Sequence, residues 1–272
     1  MSPPSHQRKG GDESLSVIIP TLKPVSELSV LLYSLDGELW AGDEVIVIQG
    51  LDSPCEPADI AGKRHPMKVF FSPRGRGRQL NRGVAASQGS LLLFLHSDSQ
   101  LGEGFRESIQ RVCSDHRVSL GCFGLAFRPT SRAMNWIAAW ANLRTRILRM
   151  PYGDQGLFCR RETWERAGGF RKKYLLEDVD FVRHCRKLGR IHLLETRIFT
   201  SPRRYMEFGI WKASIQNHMT LLGYYLGVND RVLYTRYYGH EKLPSFETGL
   251  KKEKTIGPPS NGTNNTSDGL QI

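Results

Sequence analysis

The sequence predicts a single α/β domain whose mostly parallel sheet is flanked by helices. Three observations carry that expectation. Four short apolar runs, LSVIIPT (Leu15–Thr21), DEVIVIQG (43–50), MKVFFS (Met67–Ser72) and SLLLFLHSD (90–98), have the near-continuous hydrophobicity of strands buried on both faces. Segments of helical character alternate with them, over 25–35 with Leu28, Leu31, Leu32 and Leu35 on one face, and over 79–87. The resulting order of strand, helix, strand, loop, strand, helix, strand is that of a doubly wound sheet. Ligands of such sheets bind beyond the carboxyl ends of the strands. Thr21, residues 49–52, residues 73–78 and residues 96–98 are therefore expected around one crevice.

After Leu101 the pattern changes. A helix over 104–113 leads into an alternating strand, LGCFGLAFR (120–128). The segment 134–150 is amphipathic, with Trp136, Ile137, Trp140, Leu143, Ile147 and Leu148 expected to face inward. PYGDQG (151–156) forms a tight loop before a short strand, LFC (157–159). Helices are expected at Arg161–Ala167, closed by Gly168 and Gly169, and at Glu177–Leu188, stopped by Gly189. A last amphipathic helix over 211–226 carries Trp211, Ile215, Met219, Leu222, Tyr225 and Leu226. This organisation gives a disordered leader at 1–14, one domain over 15–230 that includes the last helix, and a tail at 231–272 that is mostly disordered.

With 39% hydrophobic residues, the 272-residue chain can bury a real core. Its 38 Lys and Arg against 27 Asp and Glu give a net charge of +11, which favours nucleotides, nucleic acid or acidic headgroups without choosing among them. Cys55, Cys113, Cys122, Cys159 and Cys185 form no C-x-x-C pair, and read as reduced, packed thiols of a cytoplasmic protein. The start of the chain has no apolar signal core, and no run approaches the roughly 18 apolar residues of a spanning helix. Glycosylation-type triplets at Asn261, Asn264 and Asn265 carry no meaning in a cytoplasmic chain. Trp211 and Tyr224–Tyr225 near Lys212 and Arg231 could touch a membrane surface peripherally, although packing on the domain accounts for that helix better.

Four segments can carry chemistry. Asp98, leaving a buried strand in HSD (96–98), is placed to hold a hard divalent cation, with His96 ligating or orienting; capping of the next turn explains it equally well. Glu177, Asp178 and Asp180 crowd a helix start, where capping is the stronger local reading and a general base the functional one. In PRGRGRQLNRG (73–83), glycines let the backbone approach an anion while Arg74, Arg76 and Arg78 offer guanidinium forks. A solvated basic loop and an RNA-binding Gly-Arg segment are the rivals; the stretch is short and lacks aromatics, which argues against specific nucleic acid binding. Arg203 and Arg204, in a loop after Pro202, could neutralise a diphosphate or form a plain surface loop.

Taken in order, SVIIPT, EVIVIQG, RGRQLNRG, LLLFLHSD, PYGDQGLF and GGF…LLEDVDF resemble glycosyltransferase family 2, over roughly residues 15–227. Within it the blocks are similar to a bacterial-type subgroup associated with radical-SAM and selenodomain proteins. The resemblance implies the GT-A fold, a Rossmann-like mixed sheet. It implies transfer of a sugar from a nucleotide-diphosphate donor to an acceptor hydroxyl, inverting and dependent on Mn²⁺ or Mg²⁺. Asp98 and His96 match the metal motif, Asp178 the general base, and Glu177 its partner. Pro20, Thr21, Gln49, Arg74, Arg78, Asn81, Asp98, Arg203 and Arg204 match the donor side, and Asp154 and Gln155 the acceptor loop. The acceptor is left open and a lipid-linked one would suit the last helix. One position departs from the pattern: Gln49 stands where relatives carry an acid that pairs with the base, with Asp52 displaced. That departure leaves the donor unassigned and motivates the alternative of a catalytically silent, nucleotide- or partner-binding module.

Overall fold

The computed structural model describes residues 13–51 and 65–239. One sheet contains β1 (Leu15–Thr21), β2 (Glu44–Gly50), β3 (Met67–Ser72), β4 (Leu91–Phe94), β5 (Gln100–Leu101), β6 (Val118–Phe127), β7 (Leu157–Arg160) and β8 (Arg190–Thr200). The strand order is β3-β2-β1-β4-β7-β6-β8-β5. Its helices are α1 (Ser29–Asp36), α2 (Arg76–Ala86), α3 (Phe105–Cys113), α4 (Arg132–Leu148), α5 (Arg161–Ala167), α6 (Glu177–Leu188), α7 (Arg203–Phe208), α8 (Ile210–Tyr225) and α9 (Asp230–Tyr238). β1, β2, β3 and β4 pair in parallel, as do β6 and β8. β7 is antiparallel to β4 and β6, and β5 to β8. The sheet is thus the mixed, mostly parallel one expected.

Strand alternation divides the core. Leu15, Val17, Ile19, Val45, Val47, Leu91 and Leu93 face a layer built with α1, α3 and α4. Ile18, Ile46, Ile48, Leu92 and Phe94 face a second layer with α2 and α6, where Phe94, Phe170 and Phe181 pack edge to face or tilted. Strand order reverses direction of growth between β1 and β4, so the crevice opens beyond their carboxyl ends.

One buried charge pair ties α3 to the start of β2. Arg106 is fully buried, and its Nε donates to Asp43 Oδ2 at 2.6 Å while its guanidinium lies 4.0 Å over the Trp40 ring. Asp43 also accepts the backbone N–H groups of Leu15 and Trp40, each at 2.8 Å. With Arg106 Nη2 donating to Oδ1 at 3.1 Å as well, the carboxylate accepts four hydrogen bonds, which makes its burial tolerable.

Several elements differ from the sequence expectation. α2 starts at Arg76 rather than Gln79, because Gly75 at φ 128° makes the abrupt entry and puts Arg76 and Arg78 on the first helical turn. β4 ends at Phe94, leaving residues 96–98 in the turn beyond it. Arg203 and Arg204 open α7 instead of lying in a loop, with Pro202 at its N-cap. On α4 the expected faces are reversed. Met134, Ala138, Ala141 and Thr145 are buried, while Trp136, Trp140, Leu143, Ile147 and Leu148 are exposed and Ile137 is half-buried. Asn142 fixes that rotation by accepting the Leu125 N–H (2.8 Å) and donating to its carbonyl (3.1 Å), and the two alanines let α4 lie close on β6. Residues 231–238, expected to begin the tail, belong to α9. Asn229 caps it, Leu233 is buried against α8, and Asp230 accepts the Tyr174 N–H at 3.1 Å. Asp52, Cys55 and the Asn261, Asn264 and Asn265 triplets lie outside the described residues.

Two consequences are measurable. Arg106→Ala leaves the Asp43 carboxylate buried without its cation and should cost about 3–5 kcal/mol in urea unfolding. Burial pushes the Cys113 and Cys185 thiols up to about 12 and raises those of Cys122 and Cys159 still further. Mass spectrometry after native alkylation should therefore find those four cysteines unmodified, and fully modified only in denaturant.

Candidate active site

Beyond β1 and β4 lies a cleft of about 770 Å³. Its floor is Pro20 and Thr21 at the end of β1, Gln79 on α2, and His96 and Ser97 after β4. Gln79 Nε2 donates to both Thr21 O and Ile48 O at 3.0 Å, pinning the ends of β1 and β2 to the first turn of α2. Lys23 and Arg74 supply positive charge to the lining. The far wall is aromatic: Tyr152, Tyr174, Tyr234, Tyr237 and Tyr238, with Asn217, Thr220 and Leu221 from α8.

Two acids open α6 at the side of the cleft. Leu176, at φ 62°, turns the chain through the left-handed region immediately before them, a conformation that costs a non-glycine residue about 1–3 kcal/mol. Both acids thereby sit on the first turn, where the helix dipole favours negative charge. Their partners differ. Glu177 is buried and accepts Arg76 Nη1 at 3.1 Å. Asp178 instead accepts backbone N–H groups, Oδ2 from Gly153 at 2.7 Å and Oδ1 from Val179 at 2.8 Å, with Arg76 Nη1 at 4.0 Å. Burial raises the Glu177 carboxyl above its ordinary range, the Arg76 cation opposes that rise, and the Asp178 charge adds to it. Asp154, half-buried in the lining with an unpartnered Oδ1, is also raised by burial, against the pull of Arg144. Perturbed carboxyls converging on one concavity mark a functional site.

His96 lines the same cleft with its Nε2 buried and unpartnered. Burial, then the neighbouring Arg76 cation, holds the imidazole well below its usual range, so it is neutral at pH 7. Asp98 is exposed on the turn beside it and is not part of the lining. Among the described residues no three His, Cys, Asp or Glu side chains converge as a metal cage.

No protein-family model matches the chain. It is 27% identical, over 180 residues covering 62% of it and 68% of the relative, to the PGL/p-HBAD biosynthesis glycosyltransferases of Mycobacterium bovis and Mycobacterium tuberculosis. Its fold superposes on S. aureus TarS in complex with UDP-GlcNAc, with a TM-score of 0.54 and 18% identity over 69% of this chain and 58% of that one. It superposes equally on the mannosyltransferase PcManGT of Pyrobaculum calidifontis in complex with GDP-Man and Mn²⁺, with a TM-score of 0.56 and 14% identity over 70% of this chain and 57% of that one. The chain therefore spans under two thirds of each of these solved neighbours. Its fold is the GT-A fold of these neighbours, and its sequence is similar to those of curated glycosyltransferases.

Of the residues singled out in the sequence, Pro20, Thr21, Arg74, His96, Asp154, Glu177 and Asp178 meet in the cleft. Others do not. Gln155 is fully buried, accepting Thr145 Oγ1 at 2.9 Å and donating to Phe123 O at 3.3 Å; it anchors the loop from beneath and cannot face an acceptor. Asn81 spends its amide on the Phe170 backbone, at 2.7 and 2.9 Å, and holds the turn after α5 rather than a ribose. Gln49 is buried at the end of β2, in register with Thr21, and does not line the cleft. Arg78 also lies outside the lining, since the early start of α2 rotates it away. Arg203 is exposed and paired with Glu207 at 2.6 Å, far from its expected diphosphate role, and the Arg204 side chain is outside what the structure describes. Asp180 is turned to α8: burial opposes its charge, but Lys173 (2.6 Å) and the Tyr224 hydroxyl outweigh it and hold the carboxyl below its usual range.

The sequence offered Arg76 only as an anion-binding guanidinium, not as the partner of Glu177, and gave no sign of Gln79 or the α9 tyrosines as site residues. The spacing of Arg76 and Gln79 would have placed both on one helical face, had the helix been started at Gly75. Gly153 shows how tightly the acids are held. A Cβ there would stand 2.6 Å from Arg76 Nη1 and 2.9 Å from Asp178 Oδ2. Gly153→Ala should cost about 1–3 kcal/mol through overpacking, read by urea unfolding, with far-UV circular dichroism unchanged and glycosyl transfer lost.

Proposed function

We propose that the protein transfers a glycosyl group from a nucleoside-diphosphate sugar to an acceptor hydroxyl with inversion, Asp178 acting as general base. The observation that carries this reading is the unequal treatment of the two acids on α6. Glu177 is committed to Arg76, whereas Asp178 is oriented by two backbone N–H donors and remains an oxygen acceptor at the cleft. Backbone donors fix a carboxylate without neutralising it, which suits a base that must take a proton.

In the reaction, the acceptor oxygen attacks the anomeric carbon as the bond from that carbon to the diphosphate oxygen breaks. The acceptor proton passes to Asp178, and the electron pair leaves with the diphosphate. Lys23 and Arg74 meet the growing negative charge, and Arg76 keeps the charge of Glu177 from opposing donor approach. The subgroup resemblance rests on the blocks that supply Arg76, His96 and Gly153, which lie at or against this cleft.

A divalent ion fits this arrangement on the evidence of His96. A neutral imidazole with an unpartnered buried Nε2 in the cleft lining, two residues before Asp98 on the same turn, would hold Mn²⁺ or Mg²⁺ together with that carboxylate. When bound, it would supply charge neutralisation at the leaving diphosphate.

Turnover of a panel of labelled nucleotide-sugars, with and without Mn²⁺, tests the reading. Asp178→Asn should lower kcat by about 10²- to 10⁴-fold with donor KM little changed. Asp98→Asn should raise the Mn²⁺ concentration needed for half-maximal rate, and Arg203→Ala should leave both parameters as they are. Nucleotide binding without turnover of any donor would instead identify a silent binding module. Full activity in Asp178→Asn would remove the assigned base.

A further inference from the structure

Apart from Leu22, Val30, Tyr33 and Leu51, every large apolar side chain exposed among the described residues lies on α4 or between Met206 and Tyr238. These residues form stripes. On α4 they are Trp136, Trp140, Leu143 and Ile147, and along α8 they are Trp211, Ile215, Met219 and Leu222, continued by Leu226 at its C-cap. The spacings of three and four residues align each set along one helical face. Opposite them lie the buried positions, Ala138 and Ala141 on α4, Ala213 and Thr220 on α8. The exposure is large, 67% for Ile147, 73% for Met206 and 76% for Trp211. Such contiguous apolar surface marks a binding face rather than scattered surface residues.

Both helices border the same part of the molecule. Arg144 of α4 stacks 3.6 Å over the Tyr152 ring in the cleft, and α8 lines that same cleft through Asn217, Thr220 and Leu221. Tyr205 of α7 packs at 5.6 Å on Phe127 of β6, the strand that α4 covers.

We propose that these outer faces dock on an anionic lipid surface, which presents a membrane-borne acceptor to the cleft. Charge selects the occupant. From Arg132 to Arg149 there is no acidic residue, and Arg132, Arg146 and Arg149 are exposed beside the apolar stripe. Lys212, Arg231 and Arg236 do the same along α8 and α9. Exposed tryptophans flanked by cations are the chemistry of an interfacial helix on acidic headgroups. A second copy would bring the same cations face to face, unpaired. Among the described residues no helix is long and apolar enough to cross a membrane, so the contact is with the surface layer. The inner face of α8 lines the cleft through Asn217, Thr220 and Leu221, so a surface under its outer face lies one helix away from the site. Acceptor identity rests on the transferase reading; docking does not.

Flotation of the full chain with phosphatidylcholine vesicles, with and without phosphatidylglycerol, tests the proposal. The protein should float with the anionic vesicles, less so at high salt. Trp211→Ser/Ile215→Ser/Met219→Ser and, independently, Trp136→Ser/Trp140→Ser should each weaken binding by about tenfold or more, with unchanged thermal unfolding. Donor hydrolysis in solution should stay at the wild-type rate in both variants. No flotation, or flotation unaffected by either variant, overturns the proposal. So does a concentration-dependent dimer in sedimentation equilibrium that the same substitutions dissociate, which assigns the face to a second copy. Absence of hydrolysis in every form would sink the transferase reading and leave the docking standing.

Discussion

The guanidinium of Arg76 is the point on which the cleft depends. It joins the first turn of α2, which continues the parallel half of the sheet, to the first turn of α6, which carries the two acids. Two adjacent carboxylates at a helix start, one of them buried, repel each other and are costly to keep charged. The helix dipole offsets part of that cost. Arg76 offsets more, and its attraction goes mainly to Glu177, at 3.1 Å against 4.0 Å for Asp178. That asymmetry separates two chemically similar side chains into a structural partner and a reactive one. Burial, with the same cation adding to it, keeps His96 neutral and so keeps its nitrogen lone pair available.

Gly153 closes this arrangement from the other side. Its N–H orients Asp178, and its missing side chain leaves the room that Arg76 occupies. The loop that presents it is held from below by Gln155, whose amide reaches α4 through Thr145 and β6 through Phe123. Packing under α4 is thereby linked to the position of the base. α8 and α9 complete the wall with polar and phenolic groups inward and apolar groups outward, so two different environments meet across one helix thickness.

Most of the sheet was legible in the sequence because strands buried on both faces must be apolar throughout, and the runs around Ile18, Val47 and Leu93 are. The acids of α6 were legible as a cluster, although local pattern alone could not tell a cap from a base. The rest turned on features that one-dimensional reading does not register. Beginning α2 a few residues late moved Arg76 into a loop and promoted Arg78, when the helical turn makes Arg76 the residue that reaches Glu177. Gln155 and Asn81 read as ligand-binding amides, yet each is consumed by backbone and side-chain groups of its own fold. On α4 the large residues were assigned inward by hydrophobicity, while the close approach of Ala138 and Ala141 and the Asn142 bonds to Leu125 decided otherwise. α9 was missed because its contribution to the core is little more than Leu233.

A crystal structure of the chain with a nucleoside diphosphate and Mn²⁺ tests the central claim most directly. The diphosphate is expected in the cleft beside Arg74 and His96, with Arg76 still on Glu177 and an Asp178 oxygen facing open space next to the phosphate. A nucleotide bound elsewhere, or one whose binding pulls Arg76 off Glu177 so that both acids ligate the metal, would contradict it.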